Sequence, residues 1–312
     1  MGIRSFLFMA KKQIKLYFVM FSIILYASCA VKSHKSSPGD QIPKTGIIIK
    51  PDEQKSIDSN SSPAAHASSS PNSQFLALPK FGFIFSGGGA KAWAHIGVLK
   101  ELQKLKWPVS AVAGVEWGAI IAATYAQNLS ANEVEWELSK LKDFTKFDSF
   151  IKAVFAKKMT ADLKIPFVCP SLNIAKQNIY LLNRGQLDQL LPFCVSSPGL
   201  VKPLGQSIAA MMDVPTLAQH LRASGANRII LINVLAQGTK RSFLNDYESA
   251  ENILWAESAA LMAKKPSGVD EMIEINLENF GVKDLEKRRD IIAKGSELSY
   301  AELQKIAEKY GL

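Results

Sequence analysis

The sequence is poor in the two side chains that most often bind metals or form cross-links. It has three cysteines and four histidines in 312 residues, and they are scattered without a C-x-x-C motif or a His/Cys cluster. We therefore expect no structural metal site and no metal cofactor. Cys169 and Cys194 lie in apolar segments, where two thiols either pair in an oxidising compartment or stay separate and buried. We favour two separate buried thiols.

A membrane-spanning apolar run is also lacking near the N-terminus. The apolar stretch Leu16–Ala27 follows four basic residues and is shorter than the roughly 20 residues that a spanning helix needs, as in a signal-peptide core. Tyr26-Ala27-Ser28 before Cys29 resembles the lipobox of bacterial lipoproteins, although an aliphatic residue is usual where Tyr26 stands. The resemblance implies acylation of Cys29 and stable membrane attachment. An ordinary signal peptide or an uncleaved anchor is the alternative.

The charge balance excludes one class of partner. The formal net charge is +9, and removal of residues 1–28, which hold four basic and no acidic side chains, leaves +5. No basic stripe with interleaved aromatic residues is present, so we expect no nucleic-acid partner. A mild positive charge suits an anionic membrane surface. Ala30 stands where lipoproteins kept at the inner membrane typically have aspartate, so the lipoprotein resemblance implies the outer membrane, facing the periplasm.

The chain divides into three parts by composition. Residues 1–28 form the predicted signal peptide. Residues 29–78 are rich in Ser, Pro, Lys and Asn, and they have too little apolar surface to offset the entropy lost on ordering, so they are predicted to be a flexible tether. Residues 79–312 form the predicted folded domain. The short GIIIK patch within the tether is not assigned a structure.

Strands and helices alternate from Pro79 onwards, which indicates an α/β domain with a largely parallel sheet. Five strands are predicted, in FGFIFS, PVSAVAG, IPFVCPSL, RIILINVL and EMIEINL. Helices are predicted after the glycine loop, in WGAIIAATYA, after a capping box at Ser130, at Gly185–Leu191, in VPTLAQHLRASGA, at Asn245–Lys265, and as two closing segments around Asp284–Ala293 and Tyr300–Lys309.

Three consecutive glycines lie between the first strand and the first helix. Gly87, Gly88 and Gly89 let the backbone bend sharply, and their unpaired N–H groups at a helix N-terminus predict an anion-binding site. The anion would be a phosphate or the oxyanion of an acyl-transfer intermediate. A P-loop is excluded because no Gly-Lys-Ser/Thr follows. A dinucleotide fold stays open, since Ala92 and Glu116 stand roughly where its motif has a small residue and a ribose-binding acid.

A longer pattern resembles the patatin-like phospholipase family. GGGAKAWAHIGVLKEL followed by VAGVEWGAIIAA matches its glycine loop with a following basic residue, here Lys91, and then its nucleophile elbow. The segments IPFVCPSLNI, GQLDQLL, SSPGLVKPL and DVPTLAQHLRASGANRIILINV follow in the family's order, over about Pro79 to Leu235. The resemblance implies a three-layer α/β/α fold with a mostly parallel central sheet. It also implies hydrolysis of lipid acyl esters without a cofactor.

The catalytic positions depart from that family. Its elbow reads G-x-S-x-G, with the serine as nucleophile, whereas this chain has Gly114-Val115-Glu116-Trp117-Gly118. Its base is an aspartate in an Asp-Gly motif before a Val-Pro turn. No Asp-Gly pair precedes Val214 here: Ser207 or Ala209 stands near that position, and Asp213 lies too close to the turn. Both members of the family's dyad are therefore absent by this comparison.

We infer a degenerate site in which Glu116 projects its carboxylate onto the amides of Gly87, Gly88 and Gly89, with Lys91 beside them. The chain would then be a non-catalytic, membrane-anchored protein that binds lipid, a fatty-acyl ligand or an unknown protein partner. The first alternative is a lipid acyl hydrolase with altered residues, in which Glu116 acts as a general base or another serine, such as Ser86 or Ser196, is recruited. The distant alternative is a dinucleotide-binding protein.

Overall fold

The computed structural model describes residues 47–48, 79–197, 199–211, 213–236 and 250–312. The strands in this part are β1 (Ile47–Ile48), β2 (Phe81–Phe85), β3 (Val109–Gly114), β4 (Phe167–Asn173), β5 (Asn178–Leu182), β6 (Ser207–Ala209), β7 (Arg228–Asn233) and β8 (Glu271–Glu274). The helices are α1 (Ala94–Lys104), α2 (Trp117–Asn128), α3 (Ala131–Leu138), α4 (Phe147–Phe155), α5 (Leu187–Val195), α6 (Val214–Ala223), α7 (Ala250–Leu261) and α8 (Arg288–Tyr310).

The strands form a sheet in the order β1-β5-β4-β3-β2-β7-β8, with β6 paired to β4. In this sheet order the neighbouring strands β4, β3, β2, β7 and β8 run parallel to one another. Strands β1, β5 and β6 are antiparallel to the strands they pair with. The predicted mostly parallel sheet is therefore confirmed. All five residues of β2 are buried, as expected for a central strand that is covered on both faces.

Successive side chains of β2 point alternately to the two faces of the sheet, and each face has its own hydrophobic core. Phe81, Phe83 and Phe85 pack into the larger core with α1, α2 and α8. Ile84 points to the opposite face and packs with Val214 and other residues of α6. Helices thus cover both faces, and the predicted three-layer arrangement is confirmed.

Within the predicted tether, the short strand β1 lies against the antiparallel edge of the sheet. Ile47 and Ile48 pair with Leu181 and Tyr180 of β5. The rest of 29–78 and the signal segment, including Cys29, lie outside the described residues, so the boundaries of these parts stay predictions. Among the described residues, no helix is long and apolar enough to cross a membrane.

Several helix predictions need correction. The helix predicted at Gly185–Leu191 begins two residues later and runs to Val195, with Pro192 inside it. The described part of the helix predicted at Asn245–Lys265 spans Ala250–Leu261. The predicted helix start at Ser130 is confirmed, since the Ser130 hydroxyl accepts the Glu133 N–H; the return bond of the capping box is not among the described hydrogen bonds. Strands β1, β5 and β6 and helix α4 were not predicted.

The two closing helices predicted around Asp284–Ala293 and Tyr300–Lys309 are one continuous helix, α8. Gly295 lies between the two predicted segments, in a stretch that was not assigned to a helix. In the structure it is instead the point where α8 approaches α1: a Cβ at Gly295 would lie 2.1 Å from the carbonyl oxygen of Ala94. A Cβ at Gly97 of α1 would lie equally close, 2.1 Å, to the carbonyl oxygen of Ile292. Glycine is therefore required on both helices for this close crossing.

The expectation that the cysteines stay separate is wrong. Cys169 of β4 and Cys194 of α5 form a disulfide, with 6.0 Å between their Cα atoms. Both residues are fully buried, as expected, but the bond also fastens the C-terminal end of α5 to the sheet. That end leads directly into Ser196 and Ser197.

We predict that Gly295→Ala lowers the free energy of unfolding by about 3 kcal/mol, because the new Cβ forces α8 away from α1. Ala301→Val is the matched control: it adds carbon atoms to an exposed site on the same helix and should cost about 0.5 kcal/mol. Urea denaturation followed by circular dichroism measures both. Equal losses in the two variants would contradict the close crossing.

Candidate functional site

The turn between β3 and α2 holds a glutamate in a backbone conformation that is unusual for any residue with a Cβ. β3 ends at Gly114 and α2 begins at Trp117. Glu116, at the N-cap of α2, has φ 53° and ψ −127°. Such a positive φ costs about 1–3 kcal/mol and persists only where the surrounding structure enforces it. This is the geometry of a nucleophile elbow.

Two glycines make the elbow possible. A Cβ at Gly114 would lie 2.2 Å from the carbonyl oxygen of Gly118, and a Cβ at Gly118 would lie 2.2 Å from the carbonyl oxygen of Phe85. The glycine spacing that predicted the turn is therefore required by the close crossing of β2, β3 and α2. The elbow is present although its central residue is a glutamate.

The glycine loop follows β2 and leads into a 3-10 turn, Gly89–Trp93, that continues into α1. Gly89 has φ 56°, and a Cβ there would lie 2.3 Å from the carbonyl oxygen of Val282, so only glycine fits. The Ser86 hydroxyl accepts the Val234 N–H at 3.0 Å and donates to the Gly87 carbonyl at 3.2 Å. These contacts fix the direction in which the loop amides point.

The Glu116 carboxylate is seated on the amides of this loop. The Gly88 and Gly89 N–H groups each donate to Glu116 Oε2 at 3.0 Å. Two of the three predicted contacts are thus confirmed; the described contacts of the carboxylate include no hydrogen bond from Gly87, which packs against the Glu116 side chain. We call the Glu116 side chain in this position the carboxylate plug.

The second carboxylate oxygen has a partner that the sequence did not reveal. The Ser197 hydroxyl donates to Glu116 Oε1 at 2.7 Å across 81 residues of sequence. Ser197 is buried and directly follows α5 and its C-cap residue, Ser196. The Ser-Ser-Pro-Gly turn of the family resemblance was a signal for this residue, but only the fold brings it to the elbow.

The carboxylate plug is inaccessible to solvent, with 0% of Glu116 exposed. Burial raises the pKa of Glu116, because desolvation penalises the charged form more than the hydrogen bonds from Gly88, Trp117, Ser197 and Gly89 favour it. Ionisation of this carboxyl is therefore harder in the folded chain than in the unfolded chain.

The other predicted site residues have different surroundings. Lys91 is fully buried in the 3-10 turn, and desolvation lowers its pKa to about 8 against the opposing effect of the Asp284 charge. The hydroxyl of Ser196, a candidate for a recruited serine, bonds the carbonyls of Pro192 and Lys202 at 3.1 and 2.9 Å. Ser86, the other candidate, supports the glycine loop. The described contacts of these two hydroxyls do not include Glu116.

The sequence comparison placed Ser207 or Ala209 near the position of the family's aspartate. Ser207 and Ala209 lie in β6, which pairs with the β4 residues Asn173 and Ser171. Asp213 is the N-cap residue of α6, where its Oδ1 accepts the hydroxyl of Thr216. The described hydrogen bonds of Asp213 do not include Glu116 or Ser197.

A cavity of about 860 Å³ opens beside Ser197. Its walls include Leu172 and Ile179 from the antiparallel edge of the sheet, together with Leu254 and Trp255 of α7. A volume of this size accommodates a drug-sized or single-chain lipid ligand.

We predict that Glu116→Gln raises the free energy of unfolding relative to the wild type, and that this difference grows as the pH rises above 4.5, the ordinary pKa of a glutamate side chain. A raised folded-state pKa contributes stability below the unfolded pKa, and this contribution is lost as the pH rises through the folded pKa. Thermal unfolding at a series of pH values measures the difference. Glu302→Gln, which removes an exposed carboxyl, is the control. A Glu116→Gln difference that stays constant with pH would contradict the prediction.

Comparison with known proteins agrees with this geometry. The model of the family described as patatin-like phospholipase matches residues 83–239. Patatin-like phospholipase domain-containing protein 6 of Mus musculus is 28% identical over 200 residues, and lysophospholipase nte1 of Aspergillus fumigatus is 24% identical over 178 residues. These matches cover 55% and 49% of this chain but only 15% and 12% of the relatives.

Among solved structures, VipD from Legionella pneumophila aligns with 72% of this chain and 66% of its own, at 11% identity and a TM-score of 0.44.

The family match covers the glycine loop, the elbow and the following strands through β7. This chain belongs to the patatin-like phospholipase family.

Proposed function

We propose that this chain is a catalytically degenerate patatin-like protein that binds lipid and does not hydrolyse it. One observation carries the proposal: Glu116 Oε2 lies 3.0 Å from both the Gly88 and Gly89 amide nitrogens. In an acyl hydrolase, amides in this position stabilise the oxyanion that forms during the reaction. Here they are already bound to a carboxylate of the chain itself.

Glu116 also stands at the position where the family has its nucleophilic serine. A carboxylate that attacked an ester would form a mixed anhydride, and a neighbouring base could not activate it as it activates a serine. Ser207, near the position expected for the family's aspartate, offers no carboxylate that could serve as base. Both the occupied amides and the altered dyad therefore support loss of the hydrolytic step.

Lipid binding is supported by the cavity and by the family. The cavity of about 860 Å³ begins at Ser197, the residue that holds the carboxylate plug. Two curated relatives are named as a patatin-like phospholipase domain protein and a lysophospholipase. Loss of the reactive groups would leave the lipid-accommodating scaffold in place.

Attachment to the outer membrane through acylated Cys29, facing the periplasm, forms part of the proposal. Its support is the sequence: a short apolar segment behind basic residues, small residues before Cys29, and Ala30 after it. An anchored chain would meet lipid at the membrane surface.

A second candidate function rests on the short contact between Ser197 Oγ and Glu116 Oε1, 2.7 Å. A serine beside a carboxylate is the arrangement by which a general base activates a nucleophile. Ser197 would then attack an acyl ester and Glu116 would accept its proton. This hydrolase would need the Gly88 and Gly89 amides, which the carboxylate plug occupies. The dinucleotide alternative is not retained, because the same amides are filled and the family is different.

We predict no ester hydrolysis above background by the purified full chain, tested with phosphatidylcholine vesicles and a short-chain nitrophenyl ester. Glu116→Gln and Ser197→Ala should behave like the wild type, since neither residue performs chemistry. Turnover by the wild type that drops at least tenfold in both variants would establish the Ser197–Glu116 hydrolase and refute the degenerate site.

A further inference from the structure

The cavity beside the elbow has a polar lining of unusual composition. Among the described residues its walls are mostly apolar, and the charged side chains of that described lining are three acids and one lysine. These charged residues are Asp213, Glu251, Glu257 and Lys202. A lining with this excess of acid repels an anionic head group and attracts a cationic one.

Two hydroxyl groups in the cavity lining, those of Ser196 and Ser197, reinforce this preference. The Ser197 hydroxyl donates a hydrogen bond to Glu116, and the Ser196 hydroxyl donates to the carbonyls of Pro192 and Lys202. A hydroxyl whose proton is engaged in this way can only accept a further hydrogen bond. A ligand head group beside these two hydroxyls must therefore donate a hydrogen bond to them.

Asp213 is an acid of the described lining with an unpartnered carboxylate oxygen. Its Oδ1 accepts the hydroxyl of Thr216, whereas its Oδ2 is buried and has no hydrogen-bond partner among the described residues. Burial raises the pKa of Asp213 through desolvation, and a nearby cation would offset that effect. Glu251, by contrast, already pairs with Lys283 at 2.9 Å.

The anion site that would bind the carboxylate of a fatty acid is already occupied. The Gly88 and Gly89 amides would suit a ligand carboxylate, but Glu116 occupies them. A fatty-acid carboxylate in the cavity would have Lys202 as a cationic partner but would face the charges of Asp213, Glu251 and Glu257, which disfavour it.

We propose that the cavity binds a single-chain amphiphile with a cationic head, of the long-chain amine class, with its ammonium on Asp213 and its alkyl chain between Leu172, Ile179 and Trp255. The proposal rests on the lipid-binding function inferred above and names the ligand class. It distinguishes this chain from a protein that holds a fatty acid or an acyl ester in the same fold.

The test compares three ligands that share one alkyl chain: dodecylamine, dodecanol and dodecanoate. Each displaces a fluorescent apolar probe from the full chain at neutral pH, below its micelle concentration. We expect dodecylamine to bind at least tenfold more tightly than dodecanoate, with dodecanol between them. Ile208→Trp, which fills part of the cavity, should weaken all three ligands and show that they bind there.

Asp213→Asn should reduce the preference for dodecylamine over dodecanoate to about threefold or less and leave dodecanol unchanged. Asparagine is also a favourable N-cap residue, so α6 should persist. Asp148→Asn, at an exposed acid outside the cavity lining, is the matched control and should keep the full preference. If Asp213→Asn lowers the thermal stability, Glu257→Gln provides a second reduction of cavity charge, expected to lower the same preference.

Each contrary result has a distinct meaning. Dodecanoate bound as tightly as dodecylamine would overturn the cationic-ligand proposal while leaving lipid binding intact. Failure of all three ligands to bind would overturn both. Ester hydrolysis dependent on Glu116 and Ser197 would overturn the degenerate site without bearing on head-group preference.

Discussion

The contact between the Glu116 carboxylate and the amides of Gly88 and Gly89 is the interaction on which the account of this molecule depends. The amides belong to a loop at the start of a helix, where unpaired N–H groups and the helix dipole favour negative charge. In this chain the negative group is covalently part of the protein and enclosed away from water. The amides that could hold an external anion are engaged in a contact within the chain.

The elbow explains how one side chain can achieve this. The strained turn at Glu116 points whichever side chain follows Val115 towards the loop. A serine there would end one atom beyond its Cβ and leave the amides open to a substrate oxygen. A glutamate extends far enough to reach them, and Ser197 then holds its second oxygen. The same backbone therefore supports a reactive site or a closed one, depending on the length of a single side chain.

Local patterns predicted the first strands and helices of the domain, the glycine loop, the elbow and the contact of Glu116 with the loop, because each depends on residues near one another in sequence. Ser197 could not be found in this way, since its contact with Glu116 depends on how α5 packs 81 residues further on. The Cys169–Cys194 disulfide was not predicted for the same reason: it depends on how α5 packs against β4. The continuity of α8 through Gly295 was not predicted because the sequence does not show that Ala94 lies against it.

Hydrogen exchange at the Gly88 and Gly89 amides, measured by NMR in the wild type and in Glu116→Ala, tests the carboxylate plug most directly. The Gly118 amide, bonded to the Val115 carbonyl at 2.9 Å, is an internal reference in the same turn. We predict slow exchange of Gly88 and Gly89 in the wild type and at least tenfold faster exchange in the variant, with Gly118 unchanged. Equal rates at Gly88 and Gly89 in the two proteins would show that the glutamate does not hold these amides and would contradict the account.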